Sequence, residues 1–455
     1  MTERTRVLVP NGMLGIGFPE GTVKIALESG VDAIAIDGGS TDSGPYYLGA
    51  SKPKTARGAV LRDLRKILGP AAEAGVPVII GSCGTSGTDD GVDWVAGIVE
   101  EIVAEDRIPG RRLARIYSEQ DKAFLKQRLA EGAVHPLEPA GPLTDDEIDS
   151  CEHIVALMGH EPMAEALAGG ANIVLAGRAT DCAAIAVVPV MRGADLGPAW
   201  HAAKIAECGA LCTTGSGQGG VIVSIDADGF EVEPVMPDAS CTPYTVSAHL
   251  LYENTDPFRL REPAGTLNTT DARYIALDDR RVRVEGSRFE LVEQHTAKLE
   301  GSAVQGAQTM SIVGLRDDEV LGRIDEWVDS LNAFLHEHIP DALGLTADEY
   351  DIQLRPYGWN AVLGELDPST AAPREVGVVM IATAKDQAAA TAVAKFSNPH
   401  LLHHPLPGAS GVPSWSFLTS PAETERGTLY GFVLQHVVDA LTPTELFRLE
   451  TTEIN

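Results

Sequence analysis

The sequence predicts an α/β protein: an N-terminal, mostly parallel sheet flanked by helices, then a β-rich middle region and a C-terminal α+β unit. Three observations carry this. Between residues 6 and 182, short apolar runs alternate with segments of helical spacing. Those runs are nearly continuous, as parallel strands covered on both faces require. Past about residue 205, hairpin signals replace helical spacing. An open doubly wound sheet is the first expectation. A closed (β/α) barrel is the alternative, because a series of βα units this long could also close. The expected division is an α/β domain over residues 1–205, carrying polar strand-end loops, and a region over 206–455 whose α+β unit spans about 350–455.

In order, the first strand covers residues 6–10. A helix over 19–30 has Pro19 near its first turn and Gly30 at its end, matching the asymmetry of helix termini. Strands follow at 31–36, 76–80, 113–117, 153–158 and 173–176, with helices at 55–75, 90–108, 122–132 and 162–169. Val60, Leu61, Leu64, Ile67 and Leu68 show the helical period. Residues 221–225 and 230–235 flank Asp226-Ala-Asp-Gly229, a hairpin turn. Residues 274–285 add strand signal, and a helix over 317–339 is apolar at Ile324, Trp327, Leu331 and Leu335. Strands at 352–363, 376–384 and 428–438, with a helix at 387–396, complete the chain. The stretches 215–220 and 368–373 read as loops.

A chain of 455 residues can bury a large core and hold two or three domains. Its formal net charge of −30 argues against nucleic acid, which needs clustered Lys and Arg, and against anionic membrane surfaces. No stretch reaches the roughly 18 apolar residues of a membrane span. The first residues lead straight into a strand, with no signal-peptide apolar region. The cysteines form no dense framework and read as reduced thiols of a cytoplasmic protein. Cys208 and Cys212 lack a second pair at finger spacing, which argues against a zinc finger there.

Chemistry is expected at strand ends, where α/β folds place their ligands. The loop from Asn11 to Gly17 leads into a helix, so its N–H groups could face an anion; it is not G-x-G-x-x-G. Asp37-Gly-Gly-Ser-Thr-Asp-Ser-Gly-Pro45 puts carboxylates and hydroxyls on one turn. Asp37 and Asp42 suit a general base or, with Asp181, a divalent metal ion. Ser40, Thr41 and Ser43 suit substrate hydrogen bonds, and the plain alternative is a capped turn. Ser82 and Cys83 lie in a Gly-rich turn where a thiol can be activated, although no His is fixed beside it. Glu119 is a candidate acid or base, or a solvated carboxylate at a helix start. His160, in Gly159-His-Glu-Pro162, is a candidate proton donor at neutral pH. Arg178, in Gly177-Arg-Ala-Thr-Asp181, is a candidate two-pronged carboxylate clamp, with Thr180 beside it. Asp181 can pair with that Arg or ligate a metal. His403 and His404, read on a strand, would point to opposite faces and share an ion poorly. The chain contains no G-x-S-x-G, so no nucleophile elbow is available.

At these motifs the chain resembles the acyclic terpene utilisation AtuA family. The resemblance rests on the Asp37–Pro45 loop, Gly159-His-Glu-Pro162, Gly177-Arg-Ala-Thr-Asp181 and Glu207-Cys-Gly-Ala210. It continues through Leu251-Tyr-Glu253, Asp256-Pro257, the stretch from Leu401 to Gly408, and Tyr430 to His436. It implies catabolism of branched acyclic compounds, and of small carboxylic acids or their coenzyme A thioesters. It supplies no established catalytic residue. Two departures stand out. Where relatives continue with a longer aromatic and Gly-rich loop, this chain has Cys212-Thr-Thr-Gly-Ser-Gly. Long members also carry a C-terminal ferredoxin-like domain that is absent here, so a small separate subunit is the expected partner, with a homo-oligomer as the other form of association.

The expectation is thus a cytoplasmic enzyme acting on a small carboxylate or its thioester as a hydro-lyase. Acid/base residues and an Arg clamp, without a nucleophile–base pair, motivate it. A hydrolase using metal-activated water and a non-catalytic scaffold for a small partner are the rivals.

Overall fold

In chain order the strands begin β1 (Thr5–Val9), β2 (Ala33–Asp37), β3 (Val78–Gly81), β4 (Arg111–Tyr117), β5 (Val134–Pro136), β6 (Cys151–Ala156), β7 (Ile173–Ala176), β8 (Val221–Ile225) and β9 (Gly229–Pro234). The structure is a computed structural model and describes residues 4–215, 219–252, 254, 256–368, 371–409 and 415–455. Residues 216–218 and 369–370 of the two expected loops, and Glu253 of the Leu251-Tyr-Glu253 motif, lie outside the described residues.

β1, β2, β3, β7 and β4 are parallel neighbours in that order. β8 and β9 extend the sheet antiparallel from the β1 edge, and Arg448–Ile454 runs antiparallel to β4 at the other. The result is an open ten-stranded sheet, not a closed barrel. The strands are apolar on both faces because each face carries a helical layer. Leu8, Ile34, Ile36 and Ile80 pack with the helices Thr22–Glu28, Arg57–Ala74 and Asp89–Glu105. Val7, Val9, Ala33, Ala35 and Ile79 pack with the helices Glu161–Ala168, Ala183–Met191 and Leu196–Ala206. Burying one such aliphatic side chain contributes about 1.5–3 kcal/mol.

Residues 153–158 are a correction. They were expected among the parallel strands, yet β6 pairs antiparallel with residues 299–303 of the long strand Thr296–Leu315. A short apolar run specifies burial but not which neighbours it pairs with. The loop from Asn11 to Gly17 is a second. The N–H groups of Gly15 and Gly17 both donate to Asp63 Oδ2 at 2.9 Å, so the anion they face is an internal carboxylate. Among the described residues, no helix is long and apolar enough to cross a membrane.

Two compact units result: Met1–Ala303 with Phe432–Asn455, and Val304–Gly431. Residues 205 and 206 lie within the first. In the second, Val376–Ala384 pairs antiparallel with Tyr350–Tyr357 and with residues 307–315. The helices Ile324–Leu343 and Gln387–His403 cover Val378, Met380 and Ala382. The latter helix runs past Pro399, so His403 is helical and His404 is its C-cap; neither lies on a strand. A proline normally ends a helix; here Leu401, beyond it, is fully buried and anchors the extra turn. His404 Nε2 lies 2.9 Å from Ser330 Oγ.

Trp327 is the anchor of this second unit. It is fully buried, stacks on Trp415 at 4.5 Å and donates its indole N–H to His404 O at 3.0 Å. Trp327→Ala is expected to destabilise by about 3–5 kcal/mol, read as a lowered midpoint in urea denaturation.

Candidate active site around Arg178

The loops that follow β2, β3, β4, β6 and β7 converge on Arg178. Its backbone N–H donates to Ser118 Oγ at 2.7 Å, and its carbonyl accepts from Met158 N–H at 3.0 Å. Its Nε donates to Glu300 Oε2 at 3.0 Å. Its Nη1 donates to Ala179 O at 2.8 Å and to Ser82 Oγ at 3.3 Å, and stands 3.7 Å from Asp181 Oδ1. Glu300 in turn accepts from Thr41 Oγ1 through both oxygens, at 3.0 and 2.9 Å, and from Lys298 Nζ at 2.7 Å.

Electrostatics follow from this geometry. Burial opposes the charge on Arg178, but Glu300 and then Asp181 more than restore it, so its pKa rises. Burial likewise pushes Glu300 up, and Arg178 with Lys298 outweighs this and holds it down to about 2. Asp37 behaves oppositely. Burial first and Asp181 second raise it well above the usual carboxylate range, against the pull of Arg178. Its Oδ2 accepts the Gly39 N–H at 3.2 Å, while its Oδ1 is buried without a hydrogen-bond partner.

A cavity of about 330 Å³ opens beside Arg178. Its wall includes Thr180, Asp181, Cys182, Lys204, Glu207, Arg261 and Glu262. Glu262 ends strand β10 (Arg259–Glu262), and its Oε2 is buried and unpartnered. Burial, opposed by Lys204, pushes Glu262 up to about 8. Glu207 bonds Lys204 Nζ at 2.5 Å and accepts from Cys182 Sγ at 3.2 Å. Larger hollows of about 530 and 700 Å³ lie elsewhere. Both are lined by fewer ionisable groups than the smaller cavity, which chemistry therefore favours.

Of the residues singled out from sequence, Arg178, Thr180 and Asp181 line the cavity. Ser82 and Thr41 hold the Arg178–Glu300 pair, and Asp37 couples to it electrostatically. The others stand apart from the cavity wall. Asn11 donates to Gly17 O at 3.1 Å. Ser40 Oγ accepts the N–H of Asp42, whose side chain is exposed, and Ser43 Oγ accepts from Lys54. Cys83 is fully buried, and burial followed by Asp37 raises its thiol far from a reactive value. Glu119 pairs with His153 Nδ1 at 3.0 Å and accepts the Asp89 N–H at a helix start. His160 is buried edge-on to Trp200, and burial lowers its pKa. Among the described residues, the group with ligand atoms within 4.8 Å of one another is Glu207, Cys208 and His249; Asp37, Asp42 and Asp181 do not form one. Sequence reasoning missed Glu300, Lys204, Glu262 and His249 as site residues. Glu207 was visible only as part of a family motif, and Cys208 there and as half of a Cys208–Cys212 pair that the spacing argued against as a zinc finger.

Glu300 tests the cluster. Removing it leaves Arg178 buried without its carboxylate, so Glu300→Ala is expected to cost about 3–5 kcal/mol. A carboxyl held down in the folded state stabilises above its unfolded pKa and loses that as pH falls through the folded value. The stability gap between wild type and Glu300→Gln is therefore expected to narrow between about pH 4.5 and about pH 2. Denaturation midpoints measured across that range check it.

Searches of curated proteins and of solved structures each return no match. A family model does match. It is described as acyclic terpene utilisation family protein AtuA, and it covers residues 29–436, from just before β2 to the final strands. That span contains Arg178, Glu300 and the whole cavity wall, and the chain belongs to the AtuA family.

Proposed function

We propose that the chain is a catabolic enzyme that removes water from, or adds it to, a small branched carboxylic acid or its coenzyme A thioester. The carrying observation is one cavity wall that presents arginines together with a carboxyl kept neutral at pH 7. Arg261 is exposed in that wall and has no acidic partner among the described residues. Its guanidinium is suited to hold a carboxylate by two-pronged hydrogen bonds, with Arg178, whose Nε and Nη1 are already engaged, adding positive charge beside it. Glu262, with its pKa at about 8, keeps a proton at neutral pH and is suited to general-acid work. His160 is outside the wall, so the proton donor is assigned to Glu262.

In the elimination direction, Asp181 takes the proton from the carbon beside the acyl group. The C–O bond breaks, and Glu262 gives its proton to the departing hydroxyl. Water and a conjugated double bond result, so electrons balance without an outside oxidant. The thiols of Cys83 and Cys182 are pushed up by burial, which favours this chemistry over a cysteine acyl-enzyme. Family membership is consistent with a catabolic role.

The test uses short branched 3-hydroxy acids and their thioesters, following the ultraviolet absorbance of the double bond. Glu262→Gln is expected to lower kcat by about 10²–10⁴-fold with its unfolding midpoint kept. Wild-type activity should fall as pH rises through about 8, because the acid loses its proton, and that limb should vanish in the variant. Arg261→Ala should raise KM. Undiminished turnover in Glu262→Gln, with an unchanged pH profile, would rule the assignment out.

A further inference from the structure

Three donors of different classes meet at one edge of this cavity. Glu207 and Cys208 directly follow the helix Leu196–Ala206, and His249 opens the short turn His249–Leu251. One ligand atom from each lies within 4.8 Å of the others. Glu207 and Cys208 are neighbours in sequence, whereas His249 comes from a separate segment, so no local turn explains its approach to them. A second observation points to a ligand. His249 is 6% exposed, and its Nε2 is buried without a hydrogen-bond partner. An orphaned buried ring nitrogen is costly, and such a cost persists where something else binds the atom.

We propose that Glu207, Cys208 and His249 form a Zn²⁺ site whose fourth position takes water or a substrate oxygen. The donor set selects the ion. Carboxylate oxygen, thiolate sulfur and imidazole nitrogen together suit zinc, whereas calcium and magnesium want oxygen alone. Three protein ligands and one open position is the arrangement of catalytic zinc. With metal–ligand bonds of about 2.0–2.3 Å, the donors need to close by only about 1 Å. Lys204 Nζ occupies Glu207 Oε1 at 2.5 Å, and Cys182 Sγ donates to Oε2. The ammonium holds the place of a cation there, and the ion enters by displacing it. Glu207 also lines the cavity, so a bound ion stands at its edge.

The probe is the metal alone. The full chain, stripped with chelator, is titrated with Zn²⁺ and with Co²⁺. One ion per chain is expected, with a sulfur-to-cobalt charge-transfer band. Cys208→Ser should abolish the band, and Cys208→Ser and His249→Asn should each weaken binding by at least about 100-fold. Lys204→Met should tighten binding, an effect a merely structural lysine would not give. A band and affinity that persist in Cys208→Ser and His249→Asn would overturn the site, as would no ion bound. The spectrum does not depend on turnover, so this site and the dehydration reading can fail separately.

Discussion

The buried ion pair between Arg178 and Glu300 is the interaction on which the site depends. Two nearly inaccessible charges each bear a desolvation cost that burial alone would resolve by neutralising one of them. Neither is neutralised, because each has further partners. Ser82 Oγ and the Ala179 carbonyl satisfy the guanidinium, while Thr41 and Lys298 satisfy the carboxylate. Removing one member strands the other, so the pair is robust only as a network. Its reach matters more than its energy. It joins the ends of β2, β3 and β7 to the long strand that carries Glu300.

Close backbone approach is the condition for that convergence. Gly87 has φ +70°, and a Cβ there would collide with the backbone of Arg178. A Cβ on Gly39, at φ +139°, would stand 2.6 Å from Thr85 Cα. Polar strand-end loops of this kind can meet only where side chains are missing at the crossing points. Gly38 and Gly39 of the Asp37–Pro45 turn therefore serve packing between loops, and the hydroxyl of Thr41 serves the ion pair. The turn is a support for the site more than its reactive surface.

What the sequence showed, and what it hid, follows from the period of each element. β1, β2, β3, β4 and β7 were legible because strands buried on both faces are unbroken apolar runs. Arg178 was legible because a polar residue at the end of such a run has little structural reason to be there. Glu300 was not, because it sits inside a long strand where a single acid reads as the solvent face. Glu262 was hidden in Arg259-Leu-Arg-Glu262, which looks like an exposed charged edge. β6 was found but misassigned, since apolar content does not say which neighbours a strand takes. His249 has no local partner in sequence at all, and only the fold brings it to Glu207 and Cys208.

The formal charge of −30 counts every acid as ionised, and the site does not obey that count. Asp37 is raised well above the usual carboxylate range by burial, and Glu262 reaches about 8, so Glu262 keeps its proton at pH 7. Glu300 stays ionised, but Arg178 and Lys298 stand against it. Within the wall Glu262 is thus protonated, while Asp181 and Glu207 are paired with Arg178 and Lys204. Arg261, in contrast, stands in the cavity wall without an acidic partner among the described residues. The proposed carboxylate would meet a wall in which burial, not surface charge, decides the protonation of the groups that face it.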